Sequence, residues 1–120
     1  MTVRRIKTYT AQTGYVYQYY FVGKRAALVS APEAPATEYI FDVTSDRKTV
    51  YAVSVFVLPD ALATWMASRG RALGDSEQYA AVKLRLMQAF DEIPDMMSAG
   101  RSLSVTGDDV VKLLSSIGVE

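Results

Sequence analysis

The sequence predicts an α+β fold of two layers, an N-terminal four- to five-stranded antiparallel hairpin sheet packed against about three C-terminal helices. Three observations carry that expectation. Ten of the 13 aromatic residues precede position 57, in segments that alternate or run apolar as strands do. Beyond Pro59 the composition turns to Ala, Leu and Met, and apolar residues recur at helical spacing. With 120 residues and 50% hydrophobic content, the chain is sized for a single domain, residues 1–120, whose core needs no staples.

Taken in order, Val3 to Thr10 reads as a short strand whose basic cluster suits a sheet edge. Ala11 to Gly14 is a turn, and Tyr15 to Val22 is the strongest strand pattern in the chain. Gly23-Lys24 then reads as a two-residue type II′ turn, with Arg25 to Ser30 returning so that Phe21 faces Ala26 and Tyr19 faces Leu28. Ala31 to Ala36, with two prolines, is a loop. Glu38 to Thr44 and Thr49 to Leu58 form a hairpin around Ser45 to Lys48, a register that sets Asp42 opposite Tyr51. In the second half, Asp60 is the expected cap of a helix over Ala61–Arg69 that has Leu62, Trp65 and Met66 on one face and stops at Gly70. A capping-box-like Asp75 and Gln78 open a helix over Ser76–Glu92, with Tyr79, Val82, Leu86, Phe90 and Ile93 on its inner face and Pro94 ending it. Asp95 to Ser104 reads as irregular. Thr106 and Asp109 cap a last helix that ends at Gly118.

Composition excludes much chemistry. The chain has no Cys and no His, which removes thiolate nucleophiles, iron–sulfur and thiolate zinc sites, and imidazole bases. Neither a nucleophile elbow nor a phosphate-cradling glycine loop nor a dinucleotide fingerprint occurs, so no catalytic residue, no metal and no cofactor are expected. The start lacks the apolar run of a signal peptide, and the longest apolar stretch, Val50 to Leu58, is far too short to span a membrane. A soluble, cytoplasmic protein without membrane association is the expectation. The 13 basic and 13 acidic groups balance, but residues 1–50 carry a net +3 and residues 51–120 a net −3. That zero net charge favours association and disfavours nucleic acid as a partner.

One group of residues invites a binding role. Alternation sends Tyr15, Tyr17, Tyr19 and Phe21 to one sheet face, and Lys24-Arg25 and Arg47-Lys48 place basic pairs at two expected hairpin tips. Together they sketch a ligand-binding surface for a small molecule or single-stranded nucleic acid. The competing reading makes the aromatic row the core beneath the helices. Further candidates are the carboxylates Asp91, Glu92 and Asp95, which hard cations favour as ligands, the strand residue Asp42, and the Met96-Met97 pair. The expected function is a small non-enzymatic protein-interaction module that self-associates as a homo-oligomer, most simply a homodimer, or engages another protein. The alternative is the ligand or single-strand binder.

Overall fold

The computed structural model describes residues 5–27 and 35–119. Strands β1 (Lys7–Thr10), β2 (Val16–Ala27), β3 (Ala36–Thr44) and β4 (Tyr51–Val57) lie in the sheet in chain order as antiparallel neighbours. After them come α1 (Pro59–Arg69), α2 (Asp75–Glu92) and the single turn α3 (Met96–Ala99). Strand β5 (Ser102–Val105) then joins β4 in parallel, and α4 (Gly107–Ser115) closes the described chain. The architecture is the expected α+β arrangement, with a sheet that is mixed rather than purely antiparallel.

The period of two explains the core. Tyr17 and Tyr19 on β2, Tyr39, Phe41 and Val43 on β3, Tyr51, Val53, Val55 and Val57 on β4, and Leu103 and Val105 on β5 are all buried. They meet Val82, Leu86 and Phe90 of α2, Trp65 of α1, and Val110 and Leu114 of α4 in one cluster. The Tyr17 ring stacks on Phe90 with centroids 4.1 Å apart and planes within 6°. Burial of these tyrosines raises their phenol pKa values, that of Tyr51 to about 12.

Several local expectations give way. No turn forms at Gly23-Lys24: β2 runs through it to Ala27 and pairs with β3, with a register shift between Phe21 and Gly23 that marks a bulge at Val22. Phe21 therefore faces Phe41, and Tyr19 faces Val43. Gly23 does not take positive φ, whereas Gly14, in the turn after β1, sits at +96° and closes that turn by donating to the Ala11 carbonyl at 2.9 Å. The tail of the expected return strand, Leu28 to Ser30, and residues 31–34 of the expected loop lie outside the described residues, as does the Val3 end of the first strand.

The β3–β4 hairpin is offset by one residue from the expected register, so Asp42 faces Ala52 and Tyr51 faces Val43. Its turn is built on Asp46, whose Oδ1 accepts the backbone N–H groups of Lys48 and Thr49, both at 2.8 Å. In α1 the cap position is Leu58, and Asp60 instead accepts the Gly107 N–H at 2.7 Å, tying α1 to the start of α4. The buried stripe of α1 is Ala61 and Trp65, while Leu62 and Met66 face outward. Helix α2 begins one residue earlier than expected, after Gly74; the Glu77 side chain accepts the Gly74 N–H at 2.9 Å, and Arg71 grips the same carboxylate with two bonds of 2.8 Å. Those bonds pull the Glu77 pKa down to about 2. The segment after Asp95 is ordered, since it holds both α3 and β5. Thr106 and Asp109 cap α4 reciprocally, as the spacing predicts.

Candidate functional site

Among the described residues the sheet has one face beneath the helices and one that no helix covers. On the covered face the row Tyr15, Tyr17, Tyr19 and Phe21 divides: Tyr17 and Tyr19 are interior, while Tyr15 and Phe21 emerge at its two ends. Each emergent end borders cavities. Around Tyr15 a cavity of about 410 Å³ lies between Tyr17, Tyr51, Asp95, Met96 and Met97. Met96 is buried there and Met97 exposed, so the methionine pair splits between core and surface.

Around Phe21 the geometry is richer. Its ring meets Tyr79 of α2 edge-on at 5.2 Å and lies 5.5 Å from Phe41. On one side of this Phe21–Tyr79 contact is a cavity of about 300 Å³ lined by Arg5, Lys7, Lys83 and Tyr19. On the other side a cavity of about 350 Å³ is lined by Tyr39, Lys24, Asp75 and Ser76. Strand pairing explains the convergence. Lys7 stands opposite Tyr19 on β1, and Lys24 stands opposite Tyr39 after the Val22 bulge. Lys83 follows Tyr79 by one helical turn and holds its ammonium 5.7 Å from that ring's centroid. Burial, and then the charge of Lys7, press the Lys83 pKa below its ordinary value. Among the described residues the ion pairs are Arg25–Glu38 and Arg71–Glu77, so Arg5, Lys7 and Lys83 converge with no carboxylate paired to them.

The other sequence-selected residues are dispersed. Lys24 stays at the Phe21 end, its ammonium 5.6 Å from the Tyr39 centroid. Arg25 belongs to the opposite face, where its Nε donates to Glu38 at 2.8 Å. Arg47, at φ 65°, and Lys48 sit in the Asp46 turn. From Tyr39 to that end of β3 is five residues, about 17 Å of strand, so the two basic pairs do not form one surface. Tyr39, Tyr79, Lys7, Lys83 and Asp75 were not among the binding residues expected from sequence, where Asp75 and Tyr79 were read only as a helix cap and an inner-face residue. The readable signal was the four-residue step from Tyr79 to Lys83, which the helical period places partly on the polar side.

The open face carries Val16, Gln18, Tyr20 and Val22 of β2, Glu38, Ile40, Asp42 and Thr44 of β3, and Ala52, Ser54 and Phe56 of β4. None of these belongs to the core cluster. Val16 and Val22 are exposed, and Ile6 and Val50 stand exposed around a small groove of about 110 Å³ at one margin. Its charges are internally matched. Glu38, only 7% exposed, accepts from Arg25 and from the Ser54 hydroxyl at 2.6 Å, and these bonds hold its carboxyl below the ordinary range. Asp42 accepts the Tyr20 hydroxyl at 2.5 Å.

Of the acidic cluster, Asp91 and Asp95 are structural ties, while Glu92 is exposed. Asp91 accepts from the Tyr9 hydroxyl at 2.8 Å and the Gln12 N–H at 2.9 Å, pinning β1 and its turn to α2. Asp95 caps α3 through the Ser98 N–H. No helix among the described residues is long and apolar enough to cross a membrane. Comparison of the chain with protein families, curated proteins and solved structures finds no match.

Proposed function

We infer that the chain is a small non-enzymatic, cytoplasmic protein-interaction module that self-associates as a homodimer through the open face of its sheet. The observation that supports this reading is the contrast within one sheet: the helices cover one face, and the other presents Val16, Val22, Ile40 and Phe56 outside the core. Apolar side chains exposed on a sheet face that no described helix covers are available to a partner. A second copy is the occupant that the charges favour. Among the described residues the face's Arg25 and Glu38 are joined to each other and Asp42 accepts from Tyr20, so these groups bring no uncompensated like charges together in two copies. The chain's net charge of zero adds no long-range repulsion. A two-fold axis would stack the faces as in a β-sandwich, about 10 Å apart.

Sedimentation equilibrium over a wide concentration range tests this. The expected result is a reversible dimer of the 13.2 kDa chain, and a shift to monomer in Val22→Asp with an unchanged far-ultraviolet spectrum. Val22 is 51% exposed, so the new carboxylate is solvated in the monomer and desolvated only on association. A wild-type chain that stays monomeric at its highest attainable concentration removes the proposal.

A further inference from the structure

We propose that the two cavities sharing Phe21 and Tyr79 are the two ends of one site for a small ligand that joins an anionic group to a planar ring, the chemistry of a nucleoside monophosphate or an aryl phosphate. This site lies on the helix-covered side, and the proposal does not depend on self-association through the other face.

Each end has its own logic. Arg5, Lys7 and Lys83 bring three cations to one cavity with no carboxylate paired to them among the described residues. Like charges gathered this way repel, and Lys83 is also half-buried; an anion bound among them relieves both costs. The neighbouring cavity is lined by the rings of Phe21, Tyr39 and Tyr79. A flat ring entering it finds aromatic surfaces to stack on, and Phe21, at 39% exposed, is already turned outward. Orientation follows from Asp75, which lies at the aromatic end alone. Its carboxylate repels an anion and accepts from ring N–H or amino donors, so the anionic group belongs with Lys7 and Lys83 and the ring with Tyr39. Cavities of about 300 and 350 Å³ stand at the lower end of the range for small-ligand pockets, which fits a single nucleotide-sized molecule.

Calorimetric titration of the full chain tests the assignment with adenosine monophosphate, phenyl phosphate, adenosine and inorganic phosphate as probes. The expected result is that a probe carrying both halves binds more tightly than either half alone. Adenosine monophosphate ahead of phenyl phosphate assigns the nucleotide; the reverse order assigns the aryl phosphate. Lys83→Gln should weaken the monophosphates and inorganic phosphate about tenfold and leave adenosine unchanged. Phe21→Ala should weaken adenosine and its monophosphate roughly tenfold and leave inorganic phosphate unchanged. Both side chains are partly in solvent, and an unchanged far-ultraviolet spectrum establishes that each variant is folded. The proposal is overturned if neither two-part probe binds below about 1 mM, if the two-part probes bind no better than their halves, or if both variants weaken all four probes equally. A short oligonucleotide that binds more tightly than the monophosphate overturns the small-ligand assignment.

Discussion

The two faces of this sheet are made by the same strands and differ in what they ask of each residue. On the covered face most strand positions are aromatic or aliphatic, Lys7 and Lys24 being exceptions, and Tyr17, Tyr19, Tyr39 and Tyr51 are buried, the pKa of Tyr51 pushed up to about 12. On the open face apolar residues alternate in space with Ser54, Gln18 and the joined pairs Arg25–Glu38 and Tyr20–Asp42. The difference teaches where this fold keeps its stability and where it leaves side chains outside the core. The covered face is committed to helices α1, α2 and α4. The open face has polar groups that satisfy one another and therefore tolerate either water or a neighbour.

The largest effect should come from truncating one aromatic on each face. Phe41 is fully buried between Phe21, Tyr19 and Tyr79, so Phe41→Ala should cost about 3–5 kcal/mol in urea unfolding. Phe56, half-buried on the open face, should cost about 1 kcal/mol on the same change. Equal losses would mean that the open face is packed as a second core, and the contrast between the faces would fall.

The covered face depends on a helix layer that fits closely, and Gly107 tests that fit. A Cβ at this position meets the Thr64 hydroxyl and comes within 2.8 Å of the Asp60 carboxylate oxygen that receives the Gly107 N–H. Thr64 is β-branched on a helix and has little room to turn aside. Gly107→Ala should therefore destabilise by about 1–3 kcal/mol through overpacking between α1 and α4. Asp60→Ala, which loses one hydrogen bond without a clash, should cost about 1 kcal/mol. A neutral Gly107→Ala would show that α1 and α4 separate freely and that the cover over the sheet is α2 alone.

The covered face was also the legible one. Tyr17 and Tyr19, the helical spacing of Val82, Leu86 and Phe90, and the Thr106–Asp109 cap all follow from local periodicity, which neighbouring residues carry by themselves. What was not legible depends on distant partners. Gly23-Lys24 has the local form of a turn, but nine paired positions between β2 and β3 outweigh it, and the bulge at Val22 absorbs the mismatch. The four-residue β5 alternates Ser and Leu or Val, yet four residues name a strand only when β4 is there to receive them in parallel. The inward stripe of α1 runs through Ala61 and Trp65 rather than Leu62 and Met66, a choice of face that packing and not local spacing decides. The candidate ligand site was half legible: Tyr19, Phe21 and Lys24 were singled out, while Lys7, Lys83 and Tyr79 join them only through strand pairing and helix packing.

The smallest effect sharpens the open face. Glu38 is a carboxylate whose pKa is lowered first by the hydrogen bond from Arg25 and then by that from Ser54, with burial acting against both. A folded pKa below the unfolded value of about 4.3 stabilises the folded protein fully above that pH, and the contribution is lost as the pH falls through the folded value. Arg25 is largely in solvent, its side chain 68% exposed, so the ion pair is screened. Glu38→Gln, which keeps an oxygen for Ser54, should then cost only about 1 kcal/mol at pH 7. Stability measured against urea from pH 7 to pH 2.5 should show wild type and variant separated at the upper end and converging below pH 4, as wild-type Glu38 takes up its proton. Glu77 and Asp46, also held below their ordinary values, lower both curves together and leave the difference to Glu38. A gap that persists undiminished to the lowest pH would mean that Glu38 acts by shape alone, as residues of the covered face do.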